Sequence, residues 1–173
     1  MRCQLLSIVL FVSMLPGAAN GEERDSEPAW TVQVDPLTTA LGFVHVQLER
    51  RLARAFSIYA GPHARLFRGL GADESEDHKG YGLEVGARWF FLARRGAPAG
   101  AWAQVRGVLA RVSKDDQSQA GGYVSALAGY TFIVSHRWVF ALGLGVQYIN
   151  YQAAGVGTEG VLPAAHTTVG LAF

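Results

Sequence analysis

Residues 138–150, WVFALGLGVQYIN, alternate between large apolar side chains and side chains that are mostly small or polar. One face carries Trp138, Phe140, Leu142, Leu144, Val146 and Tyr148. The other face carries Val139, Ala141, Gly143, Gly145, Gln147 and Ile149. Successive side chains of a β-strand point to opposite faces, so a period of two is typical of a strand. This stretch therefore predicts a strand with one fully apolar face.

A membrane-spanning helix is the competing interpretation of the same region. Residues 138–158 contain no charged side chain, and these 21 positions are enough to cross a bilayer as a helix. Four glycines and three side-chain amides interrupt the run, however, and its period is two rather than 3.6. The strand interpretation is therefore favoured.

The alternation continues through the chain from Trp30, and turn signals cut it into eight segments. The predicted strands are 29–35, 39–50, 55–67, 80–92, 100–112, 122–134, 138–150 and 162–173. A tilted membrane-crossing strand needs roughly 9 to 11 residues, and most of these segments reach that length. The sequence predicts an all-β protein, an eight-stranded antiparallel up-and-down transmembrane β-barrel.

The first 19 residues have the pattern of a secretory signal peptide. Met1-Arg2 is a basic start, residues 5–15 are an apolar core, and Gly17-Ala18-Ala19 supplies the small residues of a cleavage site. We predict cleavage after Ala19, with Gly21 as the second choice. The core, about 11 residues, is too short for the roughly 20 of a membrane helix. Residues 20–28 are then a flexible periplasmic leader, and 29–173 form the barrel domain.

Composition narrows the possible function classes. The 173 residues are 50% hydrophobic and only 17% charged, which fits one domain and excludes a disordered chain. A formal net charge of +1 gives no basic excess for nucleic acid. The single cysteine, Cys3, leaves with the signal peptide, so the mature chain has no disulfide, thiolate metal site or cysteine nucleophile.

Strand faces favour a barrel in a membrane over one in water. A soluble lipocalin-like barrel exposes the face opposite its apolar core, and in 138–150 that second face is itself largely apolar. Such an exterior is an aggregation hazard in water. In a bilayer the large apolar faces contact lipid and the other faces fill a narrow lumen.

The links between the predicted strands alternate in length. The links 51–54, 93–99 and 135–137 are short and carry arginines, whereas 68–79, 113–121 and 151–161 are longer, and the first two of these carry acidic residues. Outer-membrane barrels have short periplasmic turns and longer external loops. This predicts that the loop around Glu74 is external and that the turn around Arg94-Arg95 is periplasmic.

The chain ends HTTVGLAF at residues 166–173, with an aromatic residue last and apolar residues at alternate positions before it. With the signal peptide, the eight strands and the stretches 35–50 and 128–148, this ending resembles small bacterial outer-membrane β-barrel proteins of the OmpA/OmpX type. The resemblance implies location in the cell outer membrane. It also implies that Phe173 is the assembly signal read by the barrel-assembly machinery. Leu171 departs from the family pattern, which has an aromatic residue there.

Strand phase predicts a polar lumen. The inward side chains are Gln33, Asp35, His45, Gln47, Glu49, Tyr59, His63, Arg65, Glu84, Arg88, Gln104, Arg106, Gln147, His166 and Thr168. Eight strands leave an interior just wide enough for side chains to fill it, and buried charges must pair. We predict a structural lumen network of Glu49, Arg65, Glu84, Arg88 and Arg106, in which Arg88 pairs with Glu84, or with Glu49 as the second choice. A polar pore is the alternative.

No motif for catalysis or for cofactor binding emerges. Ser135 and His136 are adjacent and point apart, and Ser57 lies roughly 20 Å along a strand from His63. The five histidines lack ligand-like spacing, so the inward ones are interpreted as satisfied interior side chains. The acidic run 73–77 is interpreted as a solvated loop. We predict no catalytic, cofactor-binding or metal-binding residues.

Three functions remain open at this point. The first is a non-enzymatic integral outer-membrane protein with a plugged lumen and a role in envelope integrity or surface interaction. The second is an outer-membrane lipid-modifying hydrolase, and the third is a secreted soluble lipocalin-like barrel. For the first, the predicted partners are outer-membrane lipid, lipopolysaccharide and the barrel-assembly machinery. The protein is predicted to be a monomer that binds no nucleic acid.

Overall fold

The computed structural model describes residues 28–66, 79–91, 97–114, 117–153 and 156–173. The predicted signal peptide 1–19, nearly all of the leader 20–28, the acidic run 73–77 and the Arg94-Arg95 turn lie outside the described residues. No helix in the described part of the chain is long and apolar enough to cross a membrane.

Eight antiparallel strands and one short helix make up the fold. They are β1 Trp30–Val34, α1 Pro36–Ala40, β2 Phe43–Ala53, β3 Phe56–Arg65, β4 Lys79–Phe90, β5 Gly100–Lys114, β6 Gln117–Val134, β7 Trp138–Ala153 and β8 Val156–Ala172. Each strand pairs with the next, and β8 pairs with β1 to close a barrel. The prediction of an all-β, eight-stranded antiparallel up-and-down barrel is confirmed, and 138–153 is a strand rather than a helix.

The prediction that two segments are loops is wrong. The segments 113–121 and 151–161 are largely strand, because the β5–β6 pairing continues to Lys114↔Gln117 and the β7–β8 pairing to Ala153↔Val156. The apolar alternation stops where the side chains become polar, but the backbone ladder does not. Polar cross-strand contacts continue it, as between the Ser113 and Ser118 hydroxyls at 3.2 Å. Within the described residues, β5–β8 (15 to 18 residues each) are therefore longer than β2–β4 (10 to 12 residues each).

The second strand starts later than predicted, at Phe43 rather than at residue 39. Asp35 precedes Pro36, and its carboxylate accepts a hydrogen bond from the Thr38 amide at 3.0 Å, which caps the one-turn helix α1. The same carboxylate accepts from the Thr167 hydroxyl at 2.9 Å on β8. Asp35 thus joins the end of β1 to β8.

The barrel closes at the strand pairing with the fewest residue pairs. β1 and β8 share four residue pairs, from Thr31↔Ala172 to Val34↔Val169. Below them, Trp30 and Phe173 exchange two backbone hydrogen bonds of 2.9 Å each. The last residue of the chain therefore belongs to the seam that makes the sheet continuous.

Most of the large apolar side chains point outward, although Phe90, Trp102 and Tyr151 are among those buried inside. On β7, Leu144 is 69% exposed, whereas Val139 on the opposite face is 0% exposed. The interior combines small and polar residues with two buried apolar clusters, which lie around Tyr151 and around Trp102. Close approach is needed there, because a Cβ atom at Gly129 or Gly143 would overlap the ring of Trp102. The predicted assignment of the two faces of β7 is confirmed.

Candidate functional site

A buried polar layer fills the middle of the barrel. It includes nearly all the predicted inward side chains; Gln147, which is only half-buried, is the exception. The buried charged and imidazole groups come from five strands and from the residue after β1: Asp35, His45, Glu49, His63, Arg65, Glu84, Arg88, Arg106 and His166. Buried charges require partners, so the contacts among these groups determine what the interior can do.

Arg88 on β4 lies at the centre of this layer. Its Nη1 donates to Oε2 of Glu49 at 2.7 Å, and its Nε donates to Oε1 of Gln104 at 2.6 Å. The guanidinium lies over the rings of Tyr59 and Trp102, 5.1 Å from each centroid. Arg88 is fully buried, so the ion pair and the aromatic faces replace its hydration.

The predicted pair of Arg88 with Glu84 is wrong, and Glu49 is the partner instead. Glu84 and Arg88 are four residues apart on one strand, which separates their Cα atoms by about 13 Å at 3.3 Å per residue. Glu49 comes from β2, beyond the intervening strand β3, and its side chain meets Arg88 in the interior. In this narrow barrel, a side chain on β2 is therefore closer to Arg88 than a side chain four residues away on the same strand.

Glu49 is held by neutral donors as well as by Arg88. The Ser57 hydroxyl donates to its Oε1 at 2.5 Å, and the Gln33 amide donates to its Oε2 at 2.7 Å. The Thr31 hydroxyl lies 3.4 Å from the same oxygen. A carboxylate with an arginine and three polar neighbours is a fully satisfied buried acid.

Arg106 joins the layer through His166 on β8. Nη1 of Arg106 lies 3.5 Å from His166 Nδ1, and Nη2 of Arg88 lies 2.6 Å from His166 Nε2. The Arg106 guanidinium also lies over Tyr123, 5.2 Å from its centroid. His166 Nδ1 is 3.8 Å from a carboxylate oxygen of Asp35. The imidazole therefore bridges two arginines and extends the network to the β1–β8 seam.

Glu84 belongs to a separate cluster. Its Oε2 contacts Nδ1 of His45, and its Oε1 accepts from the Gln47 amide at 2.7 Å. His45 on β2 stands directly opposite His63 on β3, with ring centroids 4.5 Å apart. Of the residues that the structure describes, these three are the group whose ligand atoms could hold a metal ion, because one such atom of each lies within 4.8 Å of the others.

Aromatic residues cover this cluster on one side. Phe43 and Tyr151 pack on His63, with centroid distances of 5.6 and 6.0 Å, and Tyr123 lies 5.9 Å away. Arg65, the remaining member of the predicted network, lies over Phe43 at 4.9 Å. Arg65 is therefore at the edge of the interior rather than at its centre.

The candidate catalytic residues do not assemble. Ser135 and His136 lie exposed in the β6–β7 turn with φ values of 53° and 55°. Ser57 donates to Glu49, and His63 contacts His45. None of these four side chains therefore forms a serine–histidine pair with another of them.

Sequence reasoning placed His45 and His63 inside the barrel but missed that they meet. Part of the signal exists in the chain. A two-residue turn at 54–55 pairs Ala53 with Phe56 and would by itself place His45 opposite Ala64, one residue from His63, whereas the predicted link 51–54 would place His45 opposite Ala60. The bulge between Arg51 and Ala53 sets the final pairing.

Comparison of the chain with protein-family models, with curated proteins and with solved structures finds no match.

Proposed function

We propose that this protein is an integral outer-membrane β-barrel with a plugged lumen, a non-enzymatic component that serves envelope integrity or surface interaction. The observation that carries the proposal is the placement of apolar and charged side chains, which is the reverse of that in a soluble protein. Most large apolar side chains face outward, whereas the ion pair of Arg88 with Glu49 lies inside. In water this arrangement exposes a continuous apolar surface and buries charge, whereas in a bilayer both placements are favourable.

The height of the apolar band supports a bilayer. On β7 the outward face runs from Trp138 through Phe140, Leu142, Leu144 and Val146 to Tyr148, and all six side chains are at least 44% exposed. The ten residue-to-residue steps from Trp138 to Tyr148, at 3.3 Å rise each, span about 33 Å along the strand. With the usual barrel tilt, this is about 25 Å along the membrane normal, the height of the lipid-facing band of outer-membrane barrels.

Aromatic residues mark one border of this band. Exposed aromatic side chains gather at the end of the barrel that holds the β2–β3 turn, the β6–β7 turn and the C-terminus: Phe56, Trp89, Phe91, Phe132, Trp138, Phe140 and Phe173. Phe56 pairs with Trp89, and Phe132 pairs with Phe140. Aromatic girdles form at the membrane–water interface, where one side of the ring meets lipid and the other meets headgroups.

Fractionation combined with gel mobility tests the proposal. The full chain is expressed in a Gram-negative host, and the fractions are analysed with and without heating before electrophoresis. We expect the protein in the outer membrane, extracted only by detergent, with a faster band before heating because the closed barrel stays folded. Release by osmotic shock without detergent would support the soluble barrel instead. A change in lipid A or phospholipid mass on expression would support the hydrolase.

Deleting Phe173 is expected to reduce the amount of inserted protein strongly while leaving synthesis and export unchanged. The deletion removes the residue that exchanges two backbone hydrogen bonds with Trp30, and an open seam in lipid leaves polar groups unsatisfied at several kcal/mol each. The measurement is the ratio of outer-membrane to periplasmic protein. Phe173→Tyr, which keeps both the backbone and an aromatic ring, is the control. Equal outer-membrane levels for the deletion and the wild type would contradict this role.

A further inference from the structure

Three ligand-type side chains from adjacent strands converge inside the barrel. His45 on β2, His63 on β3 and Glu84 on β4 are each at most 2% exposed. One nitrogen of each histidine and one oxygen of the carboxylate lie within 4.8 Å of one another. Arg88 forms its ion pair with Glu49, and the cluster meets Arg88 only through the side chain of Gln47, among the contacts of the described residues.

The two imidazoles meet in a way that suits an ion between them. Nδ1 of His63 lies 3.3 Å from Nδ1 and 3.2 Å from Nε2 of His45. Both distances lie at the long end of the hydrogen-bond range, and the contact is divided between two atoms of His45 instead of directed at one. Nitrogens bound at 2.0–2.1 Å to a tetrahedral ion lie about 3.3 Å apart. Entry of an ion would also separate His45 from the Glu84 oxygen that it contacts.

Two of the three ligands have their other polar atom held by a neighbour. The Gln47 amide donates to Oε1 of Glu84 at 2.7 Å, which leaves Oε2 facing the histidines. The Tyr151 hydroxyl lies 3.4 Å from Nε2 of His63, which leaves Nδ1 facing His45. Such outer contacts orient metal ligands, and they commonly accompany bound metals in proteins.

The direct contacts of Glu84 also leave room for a cation at its carboxylate. Glu49 has Arg88 as a direct partner, but the two oxygens of Glu84 contact an imidazole and an amide. A divalent ion between Glu84 and the two histidines supplies positive charge at this carboxylate. It also lets both imidazoles stay neutral, as metal binding requires.

We propose that His45, His63 and Glu84 form a site for one divalent transition-metal ion of the zinc, cobalt, nickel and copper class. Two imidazoles with one carboxylate suit these ions, whereas calcium and magnesium prefer oxygen ligands throughout. Three protein ligands leave a fourth position for water. The inference rests on the interior of the barrel and holds whether the barrel lies in a membrane or in water.

Titration with cobalt chloride tests the site. The full chain is isolated without a histidine tag, folded in detergent micelles and stripped with a chelator, and the visible absorption is then followed as Co²⁺ is added. We expect a spectrum that saturates at one equivalent and is displaced by Zn²⁺. The variants His63→Gln and Glu84→Gln should each weaken binding at least tenfold, since removal of an outer-shell partner alone costs 10–100-fold. His136→Gln, in the exposed β6–β7 turn, is the matched control.

Heat-dependent gel mobility first establishes which variants are folded. Absence of Co²⁺ binding by the folded wild type would overturn the site, as would wild-type affinity in folded His63→Gln or an equal loss in His136→Gln. If neither cluster variant folds, X-ray absorption of the zinc-loaded wild type decides. Two imidazole nitrogens at about 2.0–2.1 Å support the site, and a shell of oxygens alone excludes it.

Discussion

Replacing Arg88 with alanine is expected to lower the free energy of unfolding of the barrel by about 3–5 kcal/mol. The substitution leaves Glu49, which is 1% exposed, as a buried carboxylate without its cation. It also removes the donors to Gln104 and His166. Urea unfolding in phospholipid vesicles, followed by tryptophan fluorescence, measures the change.

A double-mutant cycle identifies the partner. Arg88→Ala combined with Glu49→Ala should lower the free energy of unfolding by about 0.5–3 kcal/mol less than the sum of the single changes. The reason is that the double variant leaves neither charge buried without its partner. The matched cycle with Glu84→Ala should show a smaller coupling, since Gln47 stands between Glu84 and Arg88. A larger coupling to Glu84 than to Glu49 would contradict the observed pairing.

Replacing Leu144 with arginine is expected to cost about 2–4 kcal/mol in a lipid-embedded barrel. Leu144 is 69% exposed and lies midway along β7 between the outward rings of Phe140 and Tyr148. This places it near the middle of the proposed bilayer, where a guanidinium has neither water nor a partner. The measurement is again urea unfolding in vesicles.

The same substitution at Thr158 is the control for Leu144→Arg. Thr158 is exposed on β8 in the extended part of the β7–β8 hairpin, opposite Tyr151. Opposed residues point to the same face and Tyr151 points inward, so Thr158 does not face the proposed lipid. Arginine there should change the free energy of unfolding by no more than about 0.5 kcal/mol, as at an ordinary surface position. If Leu144→Arg stays within about 0.5 kcal/mol of the wild type, the outer face meets water and the proposed function is wrong.

The fold was accessible from the sequence because one rule, alternation, operates in every strand. On β7 the exposed and buried side chains follow the predicted phase from Trp138 to Ile149. Strand ends were less accessible: the β5–β6 ladder continues through Ser113 and Ser118, where no apolar pattern marks it. The apolar alternation shows which side chains are buried or exposed. It does not show where the backbone pairing ends, because strands can stay paired where both faces are polar.

The contacts inside the barrel were beyond reach for a different reason. Phase correctly predicts that Arg88, Glu49 and Glu84 point inward, but the partner of each depends on register and on the width of the lumen. A shift of the β2–β3 turn by one or two residues moves His45 away from His63. The interior pairing is therefore a property of the closed barrel rather than of any single strand.

The four-pair seam between β1 and β8 has a kinetic consequence. The other seven pairings join strands that are consecutive in the chain, so each forms by closing a short loop, whereas the seam must bring residues 30–34 to 169–172. Closing such a long loop is entropically the costliest step, and few ladder bonds reward it. The carboxylate of Asp35 adds bonds to the Thr167 hydroxyl and amide, at 2.9 and 3.3 Å. We therefore expect Asp35 to slow the separation of β1 from β8 at the seam, which is the last strand pairing to form.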